Sequence, residues 1–448
     1  MRLPIYDPTA SFSCSSCGWC CDQPWATEIS EADAKRYGAF DWAAVAPQLK
    51  RKKLFRKAKR DGKVVYRLTK SRGNRCVFLS EANRCLVHEH MGIEAKPHMC
   101  RQFPYLPVAF AGEQRISLNF GCRAVQMNHG PALAEQAEEV RATVAPLAEG
   151  CPAPGSAKIR LTDDVKISAA AAGRLLDRIA RLFIDPECPS VFAAFAEAIE
   201  VLQAAMELSP SELERQLERE TGTSVTDWSG GAERAAGLMQ RATPAGLPMP
   251  VRMLFAATLY PDLCDPNRMG IFGRFAVAPR MMAVAQMKGG YASRLLARNI
   301  SLQSIFDPSQ RVALSSGGDL LLRRYYAARF WQRHTAGSRL SIVSGLHQHL
   351  LDLAAVVYFA QAERIEAIRS GAGEEADVGE LGLGAVQRGL NVVEFHLANQ
   401  ERLSDKVLKQ WFAAALNELG LARAAFGLIA AHAPTAPIDA DAEPVHAR

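Results

Sequence analysis

The sequence has no apolar run as long as the roughly 18 residues that indicate a membrane-spanning helix. It also begins without the apolar core of a secretory signal, and Asp7 introduces a charge early. These two absences argue against a membrane-embedded and against a secreted protein. We therefore expect a cytoplasmic protein without a membrane partner.

Several common catalytic motifs are missing as well. The chain contains no Walker A loop, no HExxH and no GxSxG sequence. The nearest match to a dinucleotide-binding loop, Gly379-Glu-Leu-Gly382-Leu-Gly384, follows a segment that resembles a strand poorly, so we predict only a loop before a helix there. The sequence thus assigns no catalytic residue and no residue that binds an organic cofactor.

Cysteine is sparse over most of the chain but not at its beginning. Eight of the 11 cysteines fall within the first 122 of the 448 residues. The other three, Cys151, Cys188 and Cys264, are scattered, and we interpret them as small buried hydrophobic residues. In a reducing compartment, clustered thiols are better explained as metal ligands or redox groups than as disulfides. The eight predicted metal ligands are Cys14, Cys17, Cys20, Cys21, Cys76, Cys85, Cys100 and Cys122.

The first four thiols form the pattern Cys14-x2-Cys17-x2-Cys20-Cys21. Two residues between cysteines let one tight turn direct both sulfurs at one ion, as in zinc knuckles and iron–sulfur loops. Cys20 and Cys21 are adjacent, and successive side chains diverge in an extended chain. We therefore expect them to serve two sites, or one of them to pack while the other binds.

The remaining thiols lie near residues that suit metal binding. Cys100 stands between Pro97 and Pro104 and beside Arg101, whose positive charge favours the thiolate form. Thiolate ligands suit both zinc and iron–sulfur clusters, so the choice between them stays open. Three nearby histidines are more plausible as surface groups or as support for the ligands than as ligands: His88, His90 and His98.

Charge is as unevenly distributed as cysteine. The formal net charge of the chain is +6, but residues 50–75 contain 13 Lys and Arg against the single acid Asp61. That segment therefore carries +12, and the rest of the chain carries −6. Clustered cations attract anionic partners, so the segment could be a binding surface. The simpler interpretation of the segment is a solvent-exposed charged surface.

The pattern of apolar residues and the length of the predicted elements change near residue 131. Before it the elements are short, and we predict a helix from Glu31 after the N-cap Ser30, strands at 63–69 and 76–79, and a hairpin at 106–120. After it apolar residues recur at helical spacing. The predicted helices span 131–147, 168–183, 190–207, 210–220, 319–333, 341–369, 384–400 and 405–430.

We therefore predict an α+β protein that is predominantly α-helical. A small irregular domain at residues 1–130, stabilised by metal and carrying the basic insert 50–75, precedes a large helical domain at 131–432. Residues 433–448 are predicted to be disordered. Tyr325, Tyr326 and Trp331 are interpreted as core residues of the helical domain.

The order of the cysteine motifs resembles that of the YkgJ-type cysteine-cluster family. The resemblance rests on Cys14-x2-Cys17-Gly-x-Cys20-Cys21, then Cys76-x-Phe78-Leu79, Cys85, and Pro97-x2-Cys100-Arg101-x-Phe103-Pro104, and it covers roughly residues 10–125. It implies a domain that chelates zinc or iron.

A weaker resemblance extends into the helical part. Flagellin lysine N-methylases of the FliB type join a similar cysteine cluster to helices, and the segments Arg323–Tyr326 and Val392–Asn399 are similar to helices of that group. This resemblance implies methylation of lysine on a protein such as flagellin by S-adenosylmethionine, with an iron–sulfur cluster. The basic insert 50–75 and the Met-rich segment 222–317 depart from that group. The alternative is a non-catalytic zinc- or iron-binding protein whose residues 50–75 bind an acidic protein or a nucleic acid.

Overall fold

The computed structural model describes residues 7–148 except 8, 24, 61, 72–73 and 111–112, then 158–219, and then 312–396 except 333–340 and 371–378. Short pieces between 228 and 301 are described too, including the antiparallel pair β8 (Gly290–Ser293) and β9 (Arg298–Ser301). The chain divides into two compact units, Met1–Ala153 and Pro154–Arg448. The domain limits predicted at residues 130 and 432 stay predictions.

The first α-helix of the first unit, α1 (Glu31–Ala39), is well capped. The Ser30 hydroxyl accepts a hydrogen bond from the Asp33 backbone N–H at 3.0 Å, and the Asp33 carboxylate accepts one from the Ser30 backbone N–H. This reciprocal capping satisfies donors that a helix leaves free at its start, and it confirms the helix predicted after Ser30. The inner face of α1 places Tyr37 against Phe78 in the core of the unit.

A three-stranded antiparallel sheet lies beside this helix. Its strands are β1 (Glu28–Ile29), β2 (Phe55–Arg60) and β3 (Lys63–Leu68), in the order β1-β3-β2. The strand predicted at 63–69 is confirmed, whereas the strand predicted at 76–79 is wrong. Residues 76–79 make only isolated bridges, Lys70 with Cys76 and Leu79 with Cys85, because the chain reverses direction twice there.

A second hairpin completes the first unit. Strands β4 (Tyr105–Phe110) and β5 (Glu113–Leu118) pair antiparallel as predicted, with two connecting residues in place of the expected four. The predicted helix 131–147 begins later, as α6 (Ala137–Ala148), because Ala132 and Leu133 pair with Ser11 and Ala10. The remaining helices are short: α2 (Trp42–Val45), α3 (Leu86–Met91), α4 (His98–Gln102) and α5 (Arg123–Gln126).

The second unit is built mainly from long helices. Four of them begin at a serine whose hydroxyl accepts a backbone N–H, namely Ser168, Ser190, Ser315 and Ser341. The helices are α7 (Ala169–Ile184), α8 (Val191–Glu207), α9 (Pro210–Arg219), α10 (Ser316–Trp331), α11 (Ile342–Arg369) and α12 (Leu383–His396). Two small pairs accompany them: β6 (Lys158–Arg160) with β7 (Lys166–Ser168), and β10 (Ala313–Leu314) with β11 (Glu380–Leu381).

Aromatic side chains and one close backbone approach organise the core of this unit. Phe183, Phe195, Tyr326 and Phe330 pack ring against ring, with centroids 4.8–6.4 Å apart. Helices α11 and α12 contact each other at Gly389, where an added Cβ would lie 2.4 Å from the Val356 carbonyl oxygen. Glycine is therefore required for α12 to lie this close to α11.

The predicted fold class, α+β and mostly helical, is confirmed. The prediction of a simple loop before α12 is corrected at residues 380–381, which form the short strand β11. Tyr325 and Tyr326 lie in the core as expected, and Trp331 is half-buried. The helix predicted at 405–430 and the tail at 433–448 fall outside the described residues.

One described helix, α11, is long and apolar enough to cross a membrane by length and composition. Of its most apolar stretch, 94% is buried inside the protein. Core helices of soluble proteins pass the same test, so this single helix is weak evidence for a membrane span.

Candidate metal centre

The first thiols are presented by a tight turn. Gly18 adopts the left-handed conformation (φ 73°), and the one-turn 3-10 helix Trp19–Asp22 follows it. The Cys21 backbone N–H donates to the Gly18 carbonyl at 2.9 Å, which closes the turn. A Cβ at Gly18 would lie 3.0 Å from the Asn83 side chain, so both the backbone angle and the packing favour glycine.

Cys76 and Cys85 are presented by two loops of the same design. The sequences Ser71-x2-Asn74-Arg75-Cys76 and Ser80-x2-Asn83-Arg84-Cys85 repeat after nine residues. In each loop the serine N–H donates to the arginine carbonyl at 2.9 Å and the asparagine adopts a positive φ. Each cysteine then bridges back to the residue before the serine. This local repeat was not predicted from the sequence, although the matching residues at a spacing of nine would have indicated it.

Backbone contacts hold the two loops against the first turn. The Cys76 N–H donates to the Cys21 carbonyl at 2.9 Å, and the Lys70 ammonium donates to the Cys21 and Gln23 carbonyls. Arg75 reaches back to Asp22, at 3.4 Å between Nη1 and Oδ2. The residues around Cys21 and Cys76 are therefore fixed in position by contacts other than a metal.

Cys100 joins these residues from α4, and the charges show which thiols lie near one another. Burial raises the pKa of Cys76, Cys85 and Cys100, and a thiolate at Cys21 raises each of them further. Thiolates at Cys76 and Cys85 likewise raise the pKa of Cys100. We call Cys21, Cys76, Cys85 and Cys100 the four-thiol group.

The other thiols form a separate set. A thiolate at Cys14 or Cys17 raises the pKa of Cys122, and Cys122 lies at the start of α5. We call Cys14, Cys17 and Cys122 the three-thiol group. Cys20 lies between the two sets, with its sulfur 4.0 Å from that of Cys21.

Burial disfavours the thiolate form of these side chains unless a positive charge lies nearby. The hydrogen bond with Cys20, followed by burial, raises the pKa of Cys21, and burial raises that of Cys76 to about 12. Burial also raises the pKa of Cys122 to about 11. Backbone N–H groups of Val125 and Ala124 donate to the Cys122 sulfur and favour its thiolate. A bound cation would remove the cost of placing several thiolates together.

The donor chemistry fits zinc or an iron–sulfur cluster, because both accept thiolate sulfur. As the side chains stand, the described part of the chain contains no group of three or more His, Cys, Asp or Glu side chains that could hold a metal ion. Metal binding would therefore require the cysteine sulfurs to move closer together than they are in this structure.

The remaining candidate residues take no part in either group. His88 and His90 are exposed and His98 is half-buried. Cys188 is buried in the second unit, where its thiol donates to the Ser190 carbonyl at 3.3 Å. Cys151 and Cys264 lie outside the described residues.

The basic segment 50–75 divides into cations that are used internally and cations that face solvent. Arg67 pairs with Glu28 at 2.9 Å, and Lys70 and Arg75 make the contacts described above. Arg56, Lys57 and Lys59 are exposed on β2, which is an edge strand of its sheet. Lys50, Arg51, Lys52 and Lys53, which precede β2, are exposed as well, so the exposed positive charge extends from residue 50 to residue 59.

Residues 13–123 match the sequence profile of the CxxCxxCC family, described as a "Putative zinc- or iron-chelating domain". The match includes all eight clustered thiols and confirms the resemblance to the YkgJ-type family. No curated protein and no solved structure matches the chain. The first unit thus contains a cysteine-cluster domain of this family, whose description suggests the chelation of zinc or iron.

Proposed function

We propose that the first unit binds metal at two separate thiolate centres. The observation that carries this proposal is the division of the thiols into two sets: the charges of Cys21, Cys76 and Cys85 act on Cys100, whereas those of Cys14 and Cys17 act on Cys122. One ion or cluster takes four thiolates in the commonest zinc and iron–sulfur sites. Eight thiols therefore suit two centres better than one.

The first proposed centre uses the four-thiol group. Its ligands would come from the first turn, from the two repeated loops and from α4 (Cys21, Cys76, Cys85 and Cys100). The ammonium groups of Lys70 and Lys96 favour the thiolates of this group by attraction. Two nearby cations reduce the net negative charge that four thiolates would give the centre.

The second proposed centre adds Cys20 to the three-thiol group. Cys20 and Cys21 are neighbours in sequence, so their side chains can leave the 3-10 helix in different directions. Cys20 then completes a set of four with Cys14, Cys17 and Cys122. Both centres would connect segments that are distant in sequence, and so stabilise a domain made of short elements.

Metal analysis of single variants tests this proposal. We expect two zinc ions, or two iron–sulfur clusters, per wild-type chain. Cys76→Ser should lose one of them, Cys14→Ser the other, and the double variant both. Cys188→Ser, which removes a buried thiol from the other unit, is the matched control and should lose none. Anaerobic purification with an absorbance spectrum distinguishes iron–sulfur clusters, which are coloured, from zinc, which is not.

Two results would contradict the two-centre proposal. One is a single metal centre per wild-type chain. The other is loss of all metal from both single variants while the domain stays folded by circular dichroism.

A second candidate function is lysine N-methylation with S-adenosylmethionine, as in FliB-type enzymes. The supporting observation is that the two helical segments similar to that group meet: the Tyr325 hydroxyl on α10 donates to Glu394 on α12 at 2.8 Å. Bound S-adenosylmethionine would supply an electrophilic methyl group to a lysine amine. Calorimetry with S-adenosylmethionine, followed by mass spectrometry of a flagellin substrate, tests this candidate. Absence of binding would reject it.

The non-catalytic alternative assigns the function to the β2–β3 hairpin. Its support is the exposed set Arg56, Lys57 and Lys59 on an edge strand. Replacing these three with glutamine should weaken binding to an acidic protein or nucleic acid and leave the metal content unchanged. Binding that is insensitive to both salt and these substitutions would exclude this surface. The cytoplasmic location stays a prediction.

A further inference from the structure

The first unit exposes seven cations close together in sequence. They lie just before β2 and on β2 itself: Lys50, Arg51, Lys52, Lys53, Arg56, Lys57 and Lys59. None of them forms an ion pair with a carboxylate in the part of the chain that the structure describes. The sequence has no acidic residue between Asp41 and Asp61. We call these seven residues the seven-cation surface.

Other cations of the same unit differ in this respect. Six of them pair with a carboxylate. Two of these pairs are on the surface, where Lys35 lies 3.2 Å from Glu31 and Arg84 lies 2.9 Å from Glu89. The seven-cation surface has no such internal partner among the described residues, so its charge is available to attract an anion from another molecule.

The outer half of the β2–β3 hairpin is a ribbon of only two strands. β1 pairs with Tyr66 and Arg67 of β3 and extends no further. β2 and β3 continue beyond it to the pair Arg60 and Lys63, which a two-residue turn connects. Near this turn the side chain of Val64 is 58% exposed. This end of the hairpin therefore lies away from the core of the unit.

The cations of β2 are distributed over both faces of the ribbon. Side chains alternate between the two faces of a strand, so Lys57 and Lys59 share one face and Arg56 lies on the other. Lys57 and Lys59 stand opposite Tyr66 and Val64 of β3. A partner that contacts all three cations must therefore reach both faces.

The aromatic residues of this hairpin are not placed to stack on nucleobases. Phe55 and Tyr66 pack against each other, with ring centroids 5.9 Å apart, and both are partly buried against the core of the unit. The binding of single-stranded nucleic acids depends on base stacking over aromatic side chains. The seven-cation surface therefore suits the phosphates of a duplex better than a single strand.

We infer that the seven-cation surface binds double-stranded DNA through its phosphates, with the β2–β3 ribbon in the major groove. Paired strands lie about 4.8 Å apart, so a two-stranded ribbon fits a groove about 12 Å wide. Phosphates line both walls of this groove, and long cationic side chains on both faces of the ribbon can reach them. The major groove of an RNA duplex is too narrow to admit the ribbon.

An acidic protein is the partner that these observations favour less. An acidic peptide would add as a further strand along the free edge of β2, and lysines on an edge strand oppose that mode of pairing. The inference rests on the non-catalytic alternative proposed above, because it assigns one partner to that surface. It does not depend on the number of metal centres.

Fluorescence anisotropy with a short labelled DNA duplex of mixed sequence tests the inference on the full-length chain, purified without chelator. We expect saturable binding that weakens about 10³-fold between about 50 and 200 mM KCl, because contacts to several phosphates release counterions. Replacing Lys57 and Lys59 together with glutamine should reduce the slope of log K against log salt by about 1.8.

Lys35→Gln combined with Arg84→Gln is the matched control. It removes the same charge from two exposed cations of the same unit and should leave the slope unchanged. Circular dichroism and metal content verify that each variant is folded. An RNA duplex of the same sequence, poly-glutamate and phosphatidylserine vesicles should each compete at least about tenfold less well than unlabelled DNA.

Four outcomes would overturn the inference. They are absence of salt-dependent DNA binding, a wild-type slope in the Lys57 and Lys59 variant, an equal loss in the control, and a competitor that matches DNA. Binding of poly-glutamate in place of DNA would reject DNA and keep the non-catalytic alternative, whereas binding of neither would reject both. Metal content depends on the thiols, so failure of the DNA surface is distinguishable from failure of the metal centres.

Discussion

The two units reach a stable core by different means. The first unit gathers eight thiols on short helices and tight turns, and burial raises the pKa of five of them. The second unit packs aromatic rings and long serine-capped helices around α10 and α11. A domain of short elements buries too little apolar surface to dispense with cross-links, whereas a helical core of this size does not need them. The comparison predicts that metal binding determines the stability of the first unit and that apolar packing determines the stability of the second.

Metal removal should produce the largest difference between the units. Chelation at neutral pH should destabilise the first unit far more than the second, because the free energy of metal binding to thiolates contributes to the folding of such a domain. The second unit should keep its helices. Limited proteolysis with mass spectrometry checks this, since new cleavage sites should fall within residues 10–130 and not within α10 or α11. Equal protection of both units after chelation would break the comparison.

A core truncation in the second unit should have the opposite pattern. Phe330→Ala removes a ring that contacts Phe183, Phe195 and His349, so it should cost about 3–5 kcal/mol of unfolding free energy. Urea unfolding followed by far-UV circular dichroism measures the loss. The metal content should equal that of the wild type, and a matching loss of metal would show that the two units do not fold independently.

Alkaline pH should distinguish the metal-free first unit from the metal-bound one. Burial raises the pKa of Cys76 from 9.0 to about 12, so its stabilising contribution is complete below pH 9 and is lost as the pH rises toward 12. Each such thiol should cost about 1.4 kcal/mol per pH unit above pH 9 in the metal-free form. The metal-bound form, already deprotonated, should not lose stability in this range. Thermal unfolding between pH 8 and pH 10.5 tests the contrast.

Asp319 should produce a smaller pH effect in the second unit. Burial raises its pKa from 3.8 to about 6, so its contribution to stability is complete below pH 3.8 and is lost as the pH rises through 6. Asp319→Asn keeps an acceptor for the Val191 N–H and should remove up to about 3 kcal/mol of this pH dependence. Glu207→Gln, at an exposed position, is the control. Identical pH profiles for the wild type and Asp319→Asn would contradict the prediction.

The smallest expected effect concerns the turn before Cys20. Gly18→Ala strains a positive φ and also places a Cβ 3.0 Å from Asn83, so it should cost about 1–2 kcal/mol in the metal-bound form. Gly62→Ala carries a similar φ of 76° but meets nothing within 4 Å, so it measures the backbone strain alone. The difference in thermal stability between the two variants reports the packing against Asn83. No difference would show that Asn83 moves aside freely.

Sequence reasoning succeeded where the signal is local. The Ser30 cap, the β4–β5 hairpin and the long helices of the second unit follow from spacing within about 20 residues. The division of the thiols was not predictable, because Cys21, Cys76 and Cys100 are brought together by tertiary contacts. Tyr325 and Glu394 are 69 residues apart, and helical periodicity shows only that such positions are buried. The two-residue strands β10 and β11 are too short to leave a pattern.

The paired loops before Cys76 and Cys85 have a consequence for protein engineering. Each loop is a six-residue cassette, from serine to cysteine, whose backbone hydrogen bonds and left-handed asparagine fix its shape locally. A cassette that sets its own geometry can be transplanted onto an unrelated hairpin and should still present its sulfur in the same orientation. Two copies in tandem would place two thiols at a fixed offset of nine residues, a ready-made half of a thiolate site for designed metalloproteins.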